Sequence, residues 1–308
     1  MEVMKEKFSF KLLRRWDSYK RKSRPRIKNI AQIIRVIKRE PRGKIGVSII
    51  LVILICALFS PWIAPIDPNE QDIANRFADP SKEHLLGTDY VGRDILSRLI
   101  YGARVAAVVS IGSVGIAVLI GLPLGAIAAF NGGMVDNIVI LIFDVIRSFP
   151  SVIIILVLAA IVGPSLLNII LILAFTSFPA YGRVVRAQTL SVKEEEYIIA
   201  ARSLGATTGR ILLSHITPNI LPPIIVLAGM DLAVMIMWES ALSFLGLGVQ
   251  PPTASWGIML RQGYTYIVTA PLMIIWPAIV LMTTMLGCSL FAETLRMALN
   301  PREREAGG

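Results

Sequence analysis

Six long stretches of the chain run with hardly a charge among them, and nothing else in the sequence restricts the fold so strongly. They cover 45–64, 103–130, 137–162, 166–186, 217–244 and 271–297. A helix of roughly 20 residues crosses a hydrocarbon layer about 30 Å thick. Inside that layer each backbone N–H and C=O needs a partner within the protein, so only helices or closed barrels span it. Runs of this length are helical, and the predicted fold class is all-α: a polytopic membrane protein with six transmembrane helices. Pro150 interrupts the third run, and Pro218, Pro222 and Pro223 crowd the start of the fifth, so kinks are expected at both places. Composition agrees, with 55% hydrophobic and only 17% charged residues, against about 25% charged in soluble domains.

Sidedness follows from Lys and Arg, which are retained on the cytoplasmic side. With the N-terminus inside, the cytoplasmic pieces 1–44, 131–136, 187–216 and 298–308 carry 16, 0, 3 and 2 basic residues, and the long external loops 65–102 and 245–270 carry 4 and 1. Arg183 and Arg186, at the inner end of the fourth run, support the same choice. The expected organisation is a basic tail (1–44), a first spanning helix (45–64), an external loop (65–102), a five-helix core (103–297) and a short tail (298–308). Both termini are expected in the cytoplasm and the chain in the plasma membrane. The first run is not expected to be a cleaved leader, because 44 residues, 16 of them basic, precede it. The formal charge of +10 is concentrated in Met1 to Lys44; membrane lipid with anionic headgroups is the expected partner of that tail, in preference to nucleic acid.

No chemistry of the chain's own is expected, and no cofactor or metal. Cys56 and Cys288 lie inside spans, His84 and His215 fall on opposite sides of the membrane, and GATTGR at Gly205 to Arg210 lacks the lysine and spacing of a phosphate loop. Energy for transport then comes from an ion gradient or a partner.

The cytoplasmic insert EEEYIIAARSLGATTGRILLSHITPN, Glu194 to Asn219, carries the clearest local signals. Ser191 and Glu194 make an S-x-x-E capping box that predicts a helix start just after the fourth span. Glu194, Glu195 and Glu196 would then fill a first turn that favours carboxylates. Tyr197, Ala200, Ala201 and Leu204 fall at i, i+3, i+4 and i+7, and Gly205 ends the stripe. A second helical run starts near Thr208. Periodicity alone leaves two readings open: a helix lying on the bilayer or on its own bundle, or a helix laid in another protein's groove.

At these residues the sequence resembles the EAA loop of ABC-transporter permeases, with Ala200, Ala201, Gly205 and Pro218 on the motif's frame. It departs at Ile199, where the motif has Glu, at His215 and at Thr217. HLLGTDYVGRDILSRLIYGARV from His84, DVIRSFPS from Asp144 and ESALSFLGLGVQPPTASWG from Glu239 are similar to the C-type subunit of the dipeptide/oligopeptide branch, which includes nickel systems. The resemblance extends from about Gly43 to Arg302. It implies a type I ABC-importer permease fold and no cofactor, ATP being bound by partners. The implied partners are a homologous second permease, one or two ATPase subunits and an external substrate-binding protein. It also makes the loop 190–216 the coupling element, with Glu196, Tyr197, Ala200, Ala201, Leu204 and Gly205 at the ATPase contact. Cargo would be dipeptides or oligopeptides, with nickel chelates or oligosaccharides as alternatives. A secondary transporter is the less favoured class, since no internal repeat is visible.

Ionisable residues inside spans mark pathways or pairings. Asp144, Arg147, Asp231, Glu239 and Glu293 qualify. Asp144, Pro150 and Glu239 are the pore or gate candidates, with two alternatives: that Asp144 pairs with Arg147 at i, i+3, and that Glu239 caps a loop. Outside, Asp89 and Asp94 could ligate a cation or cap turns before the next helix. The stretch Leu245 to Gln262 reads as an ordered flap.

Overall fold

The computed structural model describes residues 26–299; residues 1–25 and 300–308, which belong to the two predicted tails, lie outside the described residues. The described elements are α1 (Arg26–Arg39), α2 (Pro41–Ile63), α3 (Ile95–Asn131), α4 (Gly133–Arg147), α5 (Ser151–Val162), α6 (Leu166–Val192), α7 (Glu196–Ser203), α8 (Thr208–Phe244), α9 (Trp256–Thr265) and α10 (Leu272–Leu299). Among these residues the β-structure amounts to a single bridge between Thr88 and Asp94. Five unbroken helices, α2, α3, α6, α8 and α10, are long and apolar enough to cross a membrane. The sixth span is the pair α4 and α5, bent by 81°.

That bend lies where Pro150 predicts one. Pro150 has no N–H to continue α4 and instead takes an extended conformation as the residue before α5. The fifth run behaves differently. The helix passes through Pro222 and Pro223 without a break, and its irregularity lies earlier, in a π-helical turn at Leu212–Ile216 just before Pro218. The wider turn makes room for a ring that would otherwise clash with the preceding carbonyls. A helix at Arg26–Arg39, inside the predicted basic tail, was not among the sequence expectations; it packs against α2 and α10.

Consecutive spans run in opposite directions, so the molecule has two faces. One carries α1, the α3–α4 turn and α7; the other carries the loop 64–94, the α5–α6 turn and α9. At the centre α3 and α6 pack along their length, α8 and α10 flank them, and α2 lies outside against α3 and α10. The contact of α3 with α6 rests on small residues. A Cβ on Gly125 would strike the backbone carbonyl of Gly182, and one on Gly182 would enter the ring of Phe143 from α4. Three helices therefore converge on Gly182, with Phe143 fully buried there and stacked edge-on to Phe178 at 6.0 Å. Close approach of this kind is how helices gain contact in lipid, where apolar burial offers little preference for protein over solvent.

Gly182→Val should force α4 away from α6 and cost about 1–3 kcal/mol, read as a lower thermal unfolding midpoint of the detergent-purified chain. Ala at half-buried Gly115, where a Cβ meets nothing, should leave the midpoint unchanged or raise it.

Candidate functional site

The predicted capping box is not used. α6 continues through Ser191 to Val192, and α7 begins at Glu196 after an extended Glu195 that makes no side-chain cap. Only Glu196 of the three glutamates occupies the first turn. Continuing an existing helix adds one bond per residue, whereas a new start must be nucleated, so α6 runs on past the predicted boundary. The predicted stop holds. Gly205 has φ +80°, its N–H bonds the Arg202 carbonyl, and the Ala206 N–H bonds that of Ala201. This is the paired bonding that a left-handed residue permits at a helix end.

The predicted stripe is only partly packed on the chain's own bundle: Tyr197 lies against its core, and the rest of the stripe does not join it. Ile198, which lies off it, is the buried anchor, sharing a cluster with Ile211, Ile216 and Ile220 of α8. Tyr197 and Ala201 are half-buried, Ala200 and Gly205 are exposed, and Leu204 is 88% exposed. Ile199, the departure from the motif, is also exposed.

The hold comes from several elements. Asn219 of α8 donates to the Tyr197 hydroxyl at 3.0 Å and to the His215 carbonyl at 2.6 Å. The Arg202 guanidinium lies 5.0 Å from the ring centre of Phe130, near the end of α3. Lys193, between α6 and α7, donates to the Ala129 carbonyl of α3 at 3.0 Å. On the same face Arg186 of α6 grips Asp136 of α4 through Nε and Nη2, each at 2.6 Å. Neither Asp136 nor Phe130 is evident from the sequence, since their partners lie on other helices. Short α7 is thus joined to α3 and α8 and follows closely on the end of α6.

The charged candidates inside the spans separate. Asp144 does not pair with Arg147; it makes a short ion pair with Arg183 of α6, and Arg147 is exposed with no partner among the described residues. An i, i+3 pair on one helix contributes only about 0.2–0.5 kcal/mol, so a cation on an adjoining helix displaces it readily. Pro150 stands at the bend just described, beside the exposed Phe149. Asp231 faces the Tyr181 hydroxyl of α6, and Glu293 binds Arg296 one turn on, at 2.9 and 3.1 Å. Glu239 is 1% exposed. It accepts bonds from the hydroxyls of Ser243 at 2.8 Å and Ser240 at 3.3 Å, and Ser243 in turn accepts the Val249 N–H at 3.3 Å. This chain ties the end of α8 to the loop that follows it.

The opposite face is ordered by polar bonds. Asp94 caps α3 by accepting the Ser97 N–H at 2.7 Å and lies 3.1 Å from His84. Asp89 accepts the Val91 and Arg93 N–H groups at 3.0 Å and the Arg93 Nε at 2.7 Å. Turn and cap bonding therefore occupies both carboxylates. The flap is closed by Trp256, buried, whose Nε1–H bonds the Leu99 carbonyl at 2.9 Å.

Spanning helices, charges paired between them, and a short helix held out beyond one face define a multi-pass helical membrane protein. The chain belongs to the family of inner membrane components of binding-protein-dependent transport systems: residues 121–305 match that family's model, and residues 30–80 match the N-terminal transmembrane domain of oligopeptide transport permease C. It is 38% identical over 266 residues to the dipeptide transport system permease protein DppC of Alkalihalophilus pseudofirmus, covering 86% of this chain and 88% of that protein. It is 35% identical over 262 residues to the nickel transport system permease protein NikC of Escherichia coli, covering 84% and 93%. A chain of the inward-facing MetNI methionine ABC transporter shares the fold, with a TM-score of 0.54, 19% identity and coverage of 67% of this chain and 98% of that one. The fold is that of an ABC-importer permease.

Glu239→Ala should release the loop that Ser243 anchors. Losing one partner of a buried bond costs about 1–3 kcal/mol, so amide exchange at Val249 should accelerate about tenfold or more, while Glu239→Gln, which still accepts, should stay near the parent rate.

Proposed function

We propose that this chain is one of two homologous permeases lining the pathway of an ATP-driven importer of dipeptides or oligopeptides, with α7 as its coupling helix. The observation that carries the reading is the knob itself: Leu204, Ala200 and Ile199 stand bare while Ile198, Tyr197, Arg202 and the preceding Lys193 bind this segment to α3 and α8. A groove in an ATPase subunit that received Leu204 would move α7, and α7 would carry α3, α6 and α8 as one body. Glu196, Tyr197, Ala200, Ala201, Leu204 and Gly205 form the proposed contact. ATP binding and hydrolysis belong to that partner. The small residues admit its backbone closely, and Gly205 supplies the turn that returns the chain to α8.

The face bearing α7 is assigned to the cytoplasm, because Lys and Arg concentrate there. α1 supports this side: Arg35, Lys38 and Arg39 are exposed beside the exposed Ile34, the mixture that settles at an anionic headgroup layer. The 64–94 and 245–255 loops with α9 then face outward, where a substrate-binding protein delivers cargo. The exposed apolar side chains of α4 and α5, among them Met134, Leu141, Val145 and Ile161, are the surface assigned to the second permease. Asp144 and Pro150 lie on this same bent span, which places them at the proposed seam; Glu239 is assigned to holding the outer loop. The peptide cargo follows from the dipeptide relative, and the nickel relative supports nickel chelates as a second reading.

Leu204→Glu should leave insertion and folding intact, since the side chain touches little of its own chain, and lower ATP-driven peptide uptake by an order of magnitude or more, together with ATPase co-purification. Undiminished uptake with the ATPase bound would remove α7 from the coupling role. Ser203→Cys should react with a membrane-impermeant maleimide only after the cytoplasmic side is opened, and peptide uptake in the parent should persist in a proton ionophore.

A further inference from the structure

The outward-assigned face holds a cavity of about 310 Å3 between α3, the start of α6 and both outer loops. Its size falls in the range of small-ligand sites, roughly 300–1,000 Å3, and its lining has their character, mostly apolar with a few polar groups. Val105, Val108 and Leu166 form one wall, and the loop 252–254 forms another. The polar groups are Arg104, Tyr101, Asn69 and Thr253. Arg104 is exposed, and among the described residues no carboxylate or carbonyl engages its guanidinium. Tyr101 and Asn69 likewise make no side-chain bonds there. The neighbouring Asp67 turns its carboxylate to the Asn69 N–H at 2.7 Å, and no carboxylate among the described residues lines the cavity.

Two nearby arginines, one on the loop and one on the same helix, are placed differently. Arg93 is committed to Asp89 and Arg98 to the Pro68 carbonyl, both buried. Arg104 alone of the three is left facing open space with its fork available. A planar guanidinium matches a carboxylate through two parallel bonds, and a partly enclosed apolar site strengthens them relative to water. A phosphate on a flat headgroup layer would need no walls, whereas a short peptide has both a carboxylate and an apolar side chain to place.

We propose that this cavity receives the C-terminal carboxylate of the transported peptide on Arg104, with Tyr101 and Asn69 completing the polar contacts and Val105, Val108 and Leu166 taking the last side chain. The inference rests on the peptide-importer reading above and adds the end of the peptide that this subunit reads.

The test uses the complete transporter with its binding protein in proteoliposomes, comparing uptake of one dipeptide as free acid and as C-terminal amide, each at saturation of the binding protein. The parent should carry the acid about tenfold faster than the amide, the worth of a lost charge-assisted pair. Arg104→Gln should bring the acid down to the amide rate, leave the amide within about twofold, and leave ATP hydrolysis stimulated by loaded binding protein within about twofold. Arg104→Lys, which keeps the charge without the fork, should recover part of the preference, and decides the matter should the Gln variant fail to assemble. Equal losses for acid and amide overturn the assignment, as does loss of ATPase stimulation, which would make Arg104 a docking residue for the binding protein. A defect confined to vesicles containing anionic lipid also overturns it and identifies a headgroup phosphate. A parent that carries both forms equally refutes this site alone; a parent that carries no peptide refutes the importer reading itself.

Discussion

In a hydrocarbon solvent the hydrophobic effect does not press one apolar helix against another, so the whole bundle depends on surfaces that fit. The fit is closest where α3, α4 and α6 meet at Gly182. Gly125 and Gly182 bring two backbones into contact, and the ring of Phe143 fills what space remains. Other features hang from this seam. α4 lies against α6 because Phe143 is seated there, and Asp136 and Asp144 on α4 thereby come within reach of Arg186 and Arg183. The end of α3 is set beside α7, which is what lets Phe130 and the Ala129 carbonyl hold Arg202 and Lys193.

The same geometry separates rigid from exposed parts. Polar groups in the outer loops are largely consumed by the chain itself: Asp89 and Asp94 by turns, Trp256 by Leu99, Glu239 by two serines. The surfaces left unsatisfied are few and differ in kind. One is the small apolar knob of α7, another is the apolar outside of α4 and α5, and the third is the lone fork of Arg104 over an open cavity. Of the contacts that an importer of the proposed type makes, those to an ATPase, to a second permease and to cargo match these three surfaces in chemistry.

Much of this architecture is legible in the residues. Runs of apolar sequence locate the spans to within a few residues on most sides, Pro150 marks the bend, and Gly205 marks the end of α7, because each reflects a local requirement: backbone satisfaction, a missing N–H, a positive φ. Local rules fail where a competitor lies elsewhere in the chain. The Ser191 to Glu194 capping box loses to the continuation of α6. Asp144 leaves Arg147, three residues away, for Arg183, thirty-nine residues on. Ile198, the real anchor of α7, is passed over because the stripe is scored on periodicity, which cannot say which side the bundle occupies.

By itself, then, the sequence determined that the chain is a membrane-spanning helical protein, where its helices pass, and that a glycine-terminated helix interrupts them; the quoted motifs further pointed to its family. These are consequences of short-range chemistry, spread over residues close together in the chain. Only the tertiary structure decided which charges pair, which face of α7 is bare, and that Tyr101, Arg104 and Asn69 share a cavity with Leu166. Those outcomes depend on how closely α3, α4, α6 and α8 approach, and that distance is set jointly by side chains more than a hundred residues apart, such as Leu99 and Trp256, whose contact no local pattern encodes.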